Sequence, residues 1–132
     1  MRLLLNIDVP DLAAAERFYV DAFGLRRGRR LGDTALELLG AEAPVYLLQQ
    51  PAGSTGAAAQ PRDYARHWTP LHLDVVVEDL DASLATALAA GAKTDGDVRE
   101  AAWGHIVRIA DPFGHGWCLL QFLGNGYDEI AT

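Results

Sequence analysis

Leu5, Ile7 and Val9 alternate with Leu4, Asn6 and Asp8, the two-residue period of a half-buried strand. Pro10 ends the pattern, and Asp11 is placed to cap a helix. The period then lengthens. Leu12, Ala15, Tyr19, Ala22 and Phe23 fall on one helical stripe, and Gly24 supplies the C-terminal stop. Short strands are expected at 26–31, 34–39 and 44–50, separated by Gly32-Asp33 and Gly40-Ala41. The first module, residues 1–50, therefore reads β-α-β-β-β.

Residues 51–70 show no period. Pro51, Gly53, Ser54, Gly56, an alanine triplet and Pro61 precede Tyr64, His67, Trp68 and Pro70. This reads as a mobile connector whose aromatic end folds back as a lid or a subunit contact. Alternation returns in Leu71 to Val77, followed by a helix entry at Glu78-Asp79-Leu80-Asp81 and an apolar stripe of Leu80, Leu84, Ala87 and Leu88 ending at Gly91. Further strands are expected at 96–100, 104–110 and 116–122. At an offset of 68, Ile7-Asp8-Val9-Pro10-Asp11-Leu12 overlies Val75-Val76-Val77-Glu78-Asp79-Leu80, which places Asn6 on Asp74 and Leu4 on His72. The chain thus repeats one unit, with module two at 71–124 and a tail at 125–132. The fold class expected is α+β: two βαβββ modules in one domain, 1–132, with a mixed curved sheet enclosing a hollow. In the tail, Tyr127 either frays with the terminus or folds back to close the pocket or touch a partner subunit.

Composition narrows the function. A length of 132 residues suits a single domain. The net charge of −7 argues against nucleic-acid binding. Arg26, Arg27, Arg29 and Arg30, broken by Gly28, form the one basic cluster, which reads as a solvated turn. No apolar run approaches membrane-spanning length, and the N-terminus is expected to be a strand and not a leader. The single cysteine excludes an intrachain disulfide and a thiol-rich zinc site, so a cytoplasmic location is expected.

The last strand is announced by turn chemistry. Asp111-Pro112-Phe113-Gly114 combines a fixed φ at proline with the freedom of glycine, and Trp117 to Phe122 is a compact run of bulky residues. Together with Val9-Pro10-Asp11-Leu12, Phe18-Tyr19, Phe23-Gly24-Leu25, Asp79-Leu80-Asp81-Ala82-Ser83 and His115, this order of motifs resembles the vicinal oxygen chelate superfamily. That superfamily includes glyoxalases, extradiol dioxygenases, fosfomycin-resistance transferases and bleomycin-resistance proteins. The resemblance implies paired βαβββ modules, commonly completed within a homodimer, and strand-borne metal ligands at up to four positions. Here those positions fall on Leu4, near Tyr46-Leu47-Leu48, on His72, and on Cys118 where the family expects glutamate. Only His72 is a typical retained ligand. A catalytic metal needs about three protein ligands, and hard cations reject a thiol. No cofactor is therefore expected, a divalent metal being the alternative.

With these strand phases the hollow is lined by Leu4, Asn6, Asp8, His72, Asp74, Val76, Cys118 and Leu120, with Tyr46, Trp68 and Trp103 placed to stack on a flat ligand. His72 either draws the proton from Cys118 to make a reactive thiol or hydrogen-bonds Asp74 or Asn6 while Cys118 packs as a small hydrophobe. Asp74 is either a general acid or base of raised pKa or a carboxylate at a wet rim. Asp8 is expected in solvent, Asp111 in its own turn, His115 on the surface and Trp117 in the core beneath a helix. The function expected is metal-independent binding of an organic small molecule, such as an aromatic metabolite or antibiotic, by a homodimer resembling bleomycin-resistance proteins. The alternative is a glyoxalase- or dioxygenase-like enzyme using a divalent metal or His72, Asp74 and Cys118.

Overall fold

The pattern that predicts two modules also decides the sheets. A computed structural model describes residues 1–132, and the chain forms two compact units, Met1–Ala65 and Arg66–Thr132. In the first, β1 (Leu5–Val9) leads into α1 (Leu12–Phe23), β2 (Arg26–Leu31), β3 (Ala35–Leu39) and β4 (Val45–Gln49). The sheet order is β1-β4-β3-β2, with β1 parallel to β4 and the other pairs antiparallel. In the second unit, β5 (Leu73–Val76), α2 (Leu80–Ala90), β6 (Lys93–Thr94), β7 (Arg99–Ala101), β8 (Gly104–Ala110) and β9 (Gly116–Phe122) follow in turn. Its sheet runs β5-β9-β8-β6, and β7 pairs with β8 beyond a break in register. The expected second strand of this module is thus split in two, and Asp95 to Val98 bulge between the pieces.

Each helix is positioned by the same three devices. Asp11 and Asp79 cap α1 and α2 by accepting from the backbone N–H groups of Ala14 and Ala82, an interaction worth about 1 kcal/mol at a helix start. Gly24 and Gly91 end them in the left-handed conformation, which costs glycine least. A glutamine on the last strand of each unit fixes the first turn: Gln49 Oε1 accepts from Leu12 N at 3.1 Å and Gln121 Oε1 from Leu80 N at 2.8 Å. Odd-numbered residues of β4 and β9 therefore face the helix. Leu47, Trp117 and Leu119 join Val9, Leu12, Tyr19, Leu80 and Ile109 in the buried apolar set, and even-numbered residues face away. Leu88 leaves the expected stripe and is exposed.

The connector does not run free. Arg62 donates from Nε to Asp8 Oδ2 at 2.7 Å and from Nη1 to the Thr55 carbonyl at 2.6 Å, while Tyr64 donates its hydroxyl to the Gln50 carbonyl at 2.7 Å. Asp8 is consequently paired rather than left in solvent. The basic cluster is not a turn either, because it forms β2, and Arg29 turns toward Glu37. A bulge at Gly28 and Arg29 opposes both residues to Glu37. A Cβ on Gly28 would sit 2.8 Å from Glu37 Oε2, so only glycine lets the strands close there. Arg29 then donates to both carboxylate oxygens, at 2.9 and 2.7 Å, and Tyr46 adds its hydroxyl at 2.9 Å.

The bidentate Arg29 holds the Glu37 carboxyl at about 2, well below its ordinary 4.5. The folded chain keeps this proton off down to about pH 2, whereas the unfolded chain takes it up near pH 4.5. The stabilisation is complete above pH 4.5 and lost as pH falls toward 2. Chemical denaturation of the wild-type chain and Glu37→Gln across that window checks this. The loss of stability with acid is expected to be shallower in the variant, and equal slopes would remove Glu37 from the account.

Candidate functional site

The alternation that sends Trp117 and Leu119 toward α2 sends Cys118 and Leu120 to the opposite face of the second sheet. Asp74 lies directly across from Cys118 on β5, and Arg108 lies across from it on β8, so the three form one row over three strands. His72, just before β5, places Nδ1 3.6 Å from Asp74 Oδ1. The ligating atoms of His72, Asp74 and Cys118 all lie within 4.8 Å of one another. Beside them is a cavity of about 370 Å³ lined by His72, Asp97, Arg99, Ile106, Arg108 and Cys118.

Register explains how the other lining residues arrive. Ile106 and Arg108 are two apart on β8 and share a face, while Arg99 on β7 lies across from Ile106. The break between β6 and β7 carries Asp97 to the same place. One edge of this bulge is fastened by Arg66, which donates from Nε and Nη2 to Asp95 Oδ2 at 2.9 and 2.7 Å.

The chemistry of the row is set by the carboxylate. Burial first, and then the charge and hydrogen bond of Asp74, push the Cys118 thiol up to about 11, against a weaker opposite pull from Arg108 and Arg99. At neutral pH the sulphur is a protonated donor to Asp74, not a thiolate. His72 is largely exposed, and its 3.6 Å approach to Asp74 is beyond hydrogen-bond reach.

The remaining expected residues scatter. Leu120 continues the Cys118 face and is buried. Trp103, in the β7–β8 turn, stacks 5.2 Å from Tyr127 and carries the Arg99 guanidinium 5.8 Å from its ring centroid. Tyr127 also meets Phe122 at 4.8 Å, so the tail folds back onto its own unit. Trp68 projects into solvent at 79 % exposure. Leu4, Asn6 and Tyr46 belong to the first unit; Leu4 and Asn6 are exposed, and Tyr46 is buried with its hydroxyl committed to Glu37. Asn6, Tyr46 and Glu37 form the row that corresponds to Asp74, Cys118 and Arg108. Asp111 supports its own turn, accepting from the backbone of Phe113 and His115 at 2.8 and 3.0 Å. It also takes Trp117 Nε1 at 3.1 Å and lies 2.9 Å from His115 Nδ1, so His115 is half-buried and paired rather than a free surface residue.

Sequence reasoning missed Arg99, Arg108, Asp97 and Ile106. Arg108 was legible: it is a single charge in Gly104–Ala110 with the same parity as Ile106. Asp97 and Arg99 were not, because the strand expected at 96–100 is split and the face Arg99 takes is fixed only by its pairing with Ile106.

A family profile described as a glyoxalase-like domain matches residues 5–120. The chain belongs to the glyoxalase-like family. Solved structures of the wider glyoxalase, bleomycin-resistance and dioxygenase group share its fold. A family enzyme from Burkholderia phytofirmans PsJN superposes with a TM-score of 0.72 at 18% identity, covering 91% of this chain and 97% of that one. The fosfomycin resistance protein FosX from Mesorhizobium loti gives 0.70 at 16% identity, with 99% and 98% covered. Lactoylglutathione lyase from Agrobacterium tumefaciens gives 0.64 at 18%, with 92% of each chain covered. No curated protein matches at a significant level. The family resemblance in the motifs and the α+β fold of two βαβββ modules are thereby established, with two separate mixed sheets and no closed barrel.

Alkylation of Cys118 in metal-free protein is expected to be slow at pH 7 and to rise toward pH 11. Asp74→Asn removes the nearby negative charge and should move the titration downward. Stability should fall between about pH 9 and 11, where the unfolded thiol ionises before the folded one. Rapid alkylation at pH 7 contradicts this reading.

Proposed function

We propose that this glyoxalase-like chain is a metal-independent receptor for an organic small molecule, seated on the face of its second sheet that carries Cys118. The observation that carries the reading is the cavity of about 370 Å³ in which Ile106 and Cys118 stand among the polar groups of His72, Asp97, Arg99 and Arg108, a concavity of ligand size. Arg99 ties the cavity to Trp103, so an aromatic ligand engaging that guanidinium would extend the stack.

The donor set does not suit the metal that the fold family implies. Hard cations do not choose sulphur, and two arginines line the same space and oppose a dication. A second reading, a soft-metal enzyme centre, is favoured by the three ligating atoms within 4.8 Å, the number an open zinc site uses. It requires the metal itself to displace the Cys118 proton. We therefore derive no step through a metal.

Self-association belongs to the same proposal. Trp68, Leu71 and Val76 in the second unit and Leu3 and Leu4 in the first are exposed, and a second copy of the chain would cover apolar surface of this kind. No helix is long and apolar enough to cross a membrane. A cytoplasmic setting, inferred from the lone free cysteine, completes the reading.

Native mass spectrometry of protein purified without chelator tests it. A dimer retaining an organic adduct, and lacking stoichiometric metal by elemental analysis, is expected. One zinc, nickel, iron or manganese per chain, lost on Cys118→Ser, would replace the receptor with a metalloenzyme.

A further inference from the structure

Arg99 and Arg108 are diagonal neighbours on one face of the second sheet, since Arg99 lies across from Ile106 and Arg108 is two residues further along the same strand. Like charges so placed repel. Folded proteins relieve such pairs with carboxylates in direct contact, yet neither guanidinium has one. Asp95 is held by Arg66. Asp74 accepts from the Cys118 thiol and faces His72. Asp97 lines the same cavity and forms no hydrogen bond or ion pair with either guanidinium. The Arg108 guanidinium makes no hydrogen bond or ion pair, and that of Arg99 makes only its contact with Trp103. The other arginine-carboxylate contacts in the chain show what the sequence does where neutralisation is wanted: Arg27 meets Glu16, Arg29 Glu37, Arg62 Asp8 and Arg66 Asp95.

From this placement we infer that the cavity takes an organic oxyanion, a carboxylate or phosphonate carried on an apolar or aromatic body, with Arg99 and Arg108 clamping the charged group. Guanidinium groups offer paired N–H donors that match the oxygens of such anions. Ile106 lies between the two arginine positions and supplies apolar contact for the ligand body. His72 also lines the cavity. The inference rests on the small-molecule reading above and adds the charge of the ligand to it.

Matched probes separate the two ideas. Benzoate and phenylphosphonate share an anionic head and differ in its kind, while benzamide keeps the shape of benzoate without the charge. Calorimetric titration at low salt is expected to show saturable binding of both anions, with benzamide at least about tenfold weaker, the loss of one charge-assisted contact. Arg108→Gln should erase the preference for anions and leave benzamide unchanged, whereas Arg108→Lys should keep most of it. Circular dichroism confirms that each variant is folded, and Arg99→Gln, on the short outer strand, gives the same reading should Arg108→Gln fail to fold. A stronger response to phenylphosphonate than to benzoate assigns a phosphonate-type head, and the reverse order a carboxylate. Equal affinity for benzoate and benzamide in the wild-type chain, or an anion preference that survives both glutamine variants, overturns the oxyanion assignment while leaving the receptor standing. Absence of binding by all three probes overturns both.

Discussion

A strand sends alternate side chains to opposite faces, and in the second unit that alternation is locked by the burial of Trp117 and Leu119 together with the bond from Gln121 to the first turn of α2. A slip of one residue would put an indole where Cys118 stands and draw Arg108 into the core. The cost of burying an unpaired guanidinium keeps the register in place. Every feature of the site follows from it: the Asp74-Cys118-Arg108 row, the approach of His72, and the cavity beside them.

The two units solve the same packing problem and differ in what fills the open face. In the first, the row of Asn6, Tyr46 and Glu37 is satisfied by Arg29, which a glycine bulge delivers to the carboxylate. That row is electrostatically complete. In the second, a longer break in the corresponding strand brings an arginine and an aspartate to the cavity without joining them to a partner. One copy of the repeat thus closes its row with an ion pair, and the other keeps a cavity beside it. This division agrees with the general rule that a fold fixes where a site lies and the side chains decide its chemistry.

Much of this was legible from the chain alone. The offset between Asp11 and Asp79 carries both helix caps, the glycine stops mark both C-termini, and the alternation around Cys118 puts it and Trp117 on opposite faces. What escaped depends on long-range pairing. Arg62 finds Asp8 across a separation no local pattern encodes, so the connector reads as mobile when it is tied down. Arg29 reaches Glu37 only because a bulge shifts the strand, and Arg99 enters the cavity through its pairing opposite Ile106, beyond a break that splits the strand. Bulges break the parity from which side-chain direction is deduced. The thiol was visible as an anomaly, but its protonation state needed the position of Asp74.

The central claim is that Cys118 remains a protonated wall residue in a site built for an anion and not for a metal. Anomalous diffraction from crystals of the protein as purified, soaked with zinc and with phenylphosphonate, tests it directly. The account predicts density for the phosphonate against Arg99 and Arg108 and no anomalous peak at the sulphur. A tetrahedral cation bonded to His72, Asp74 and Cys118 would contradict it.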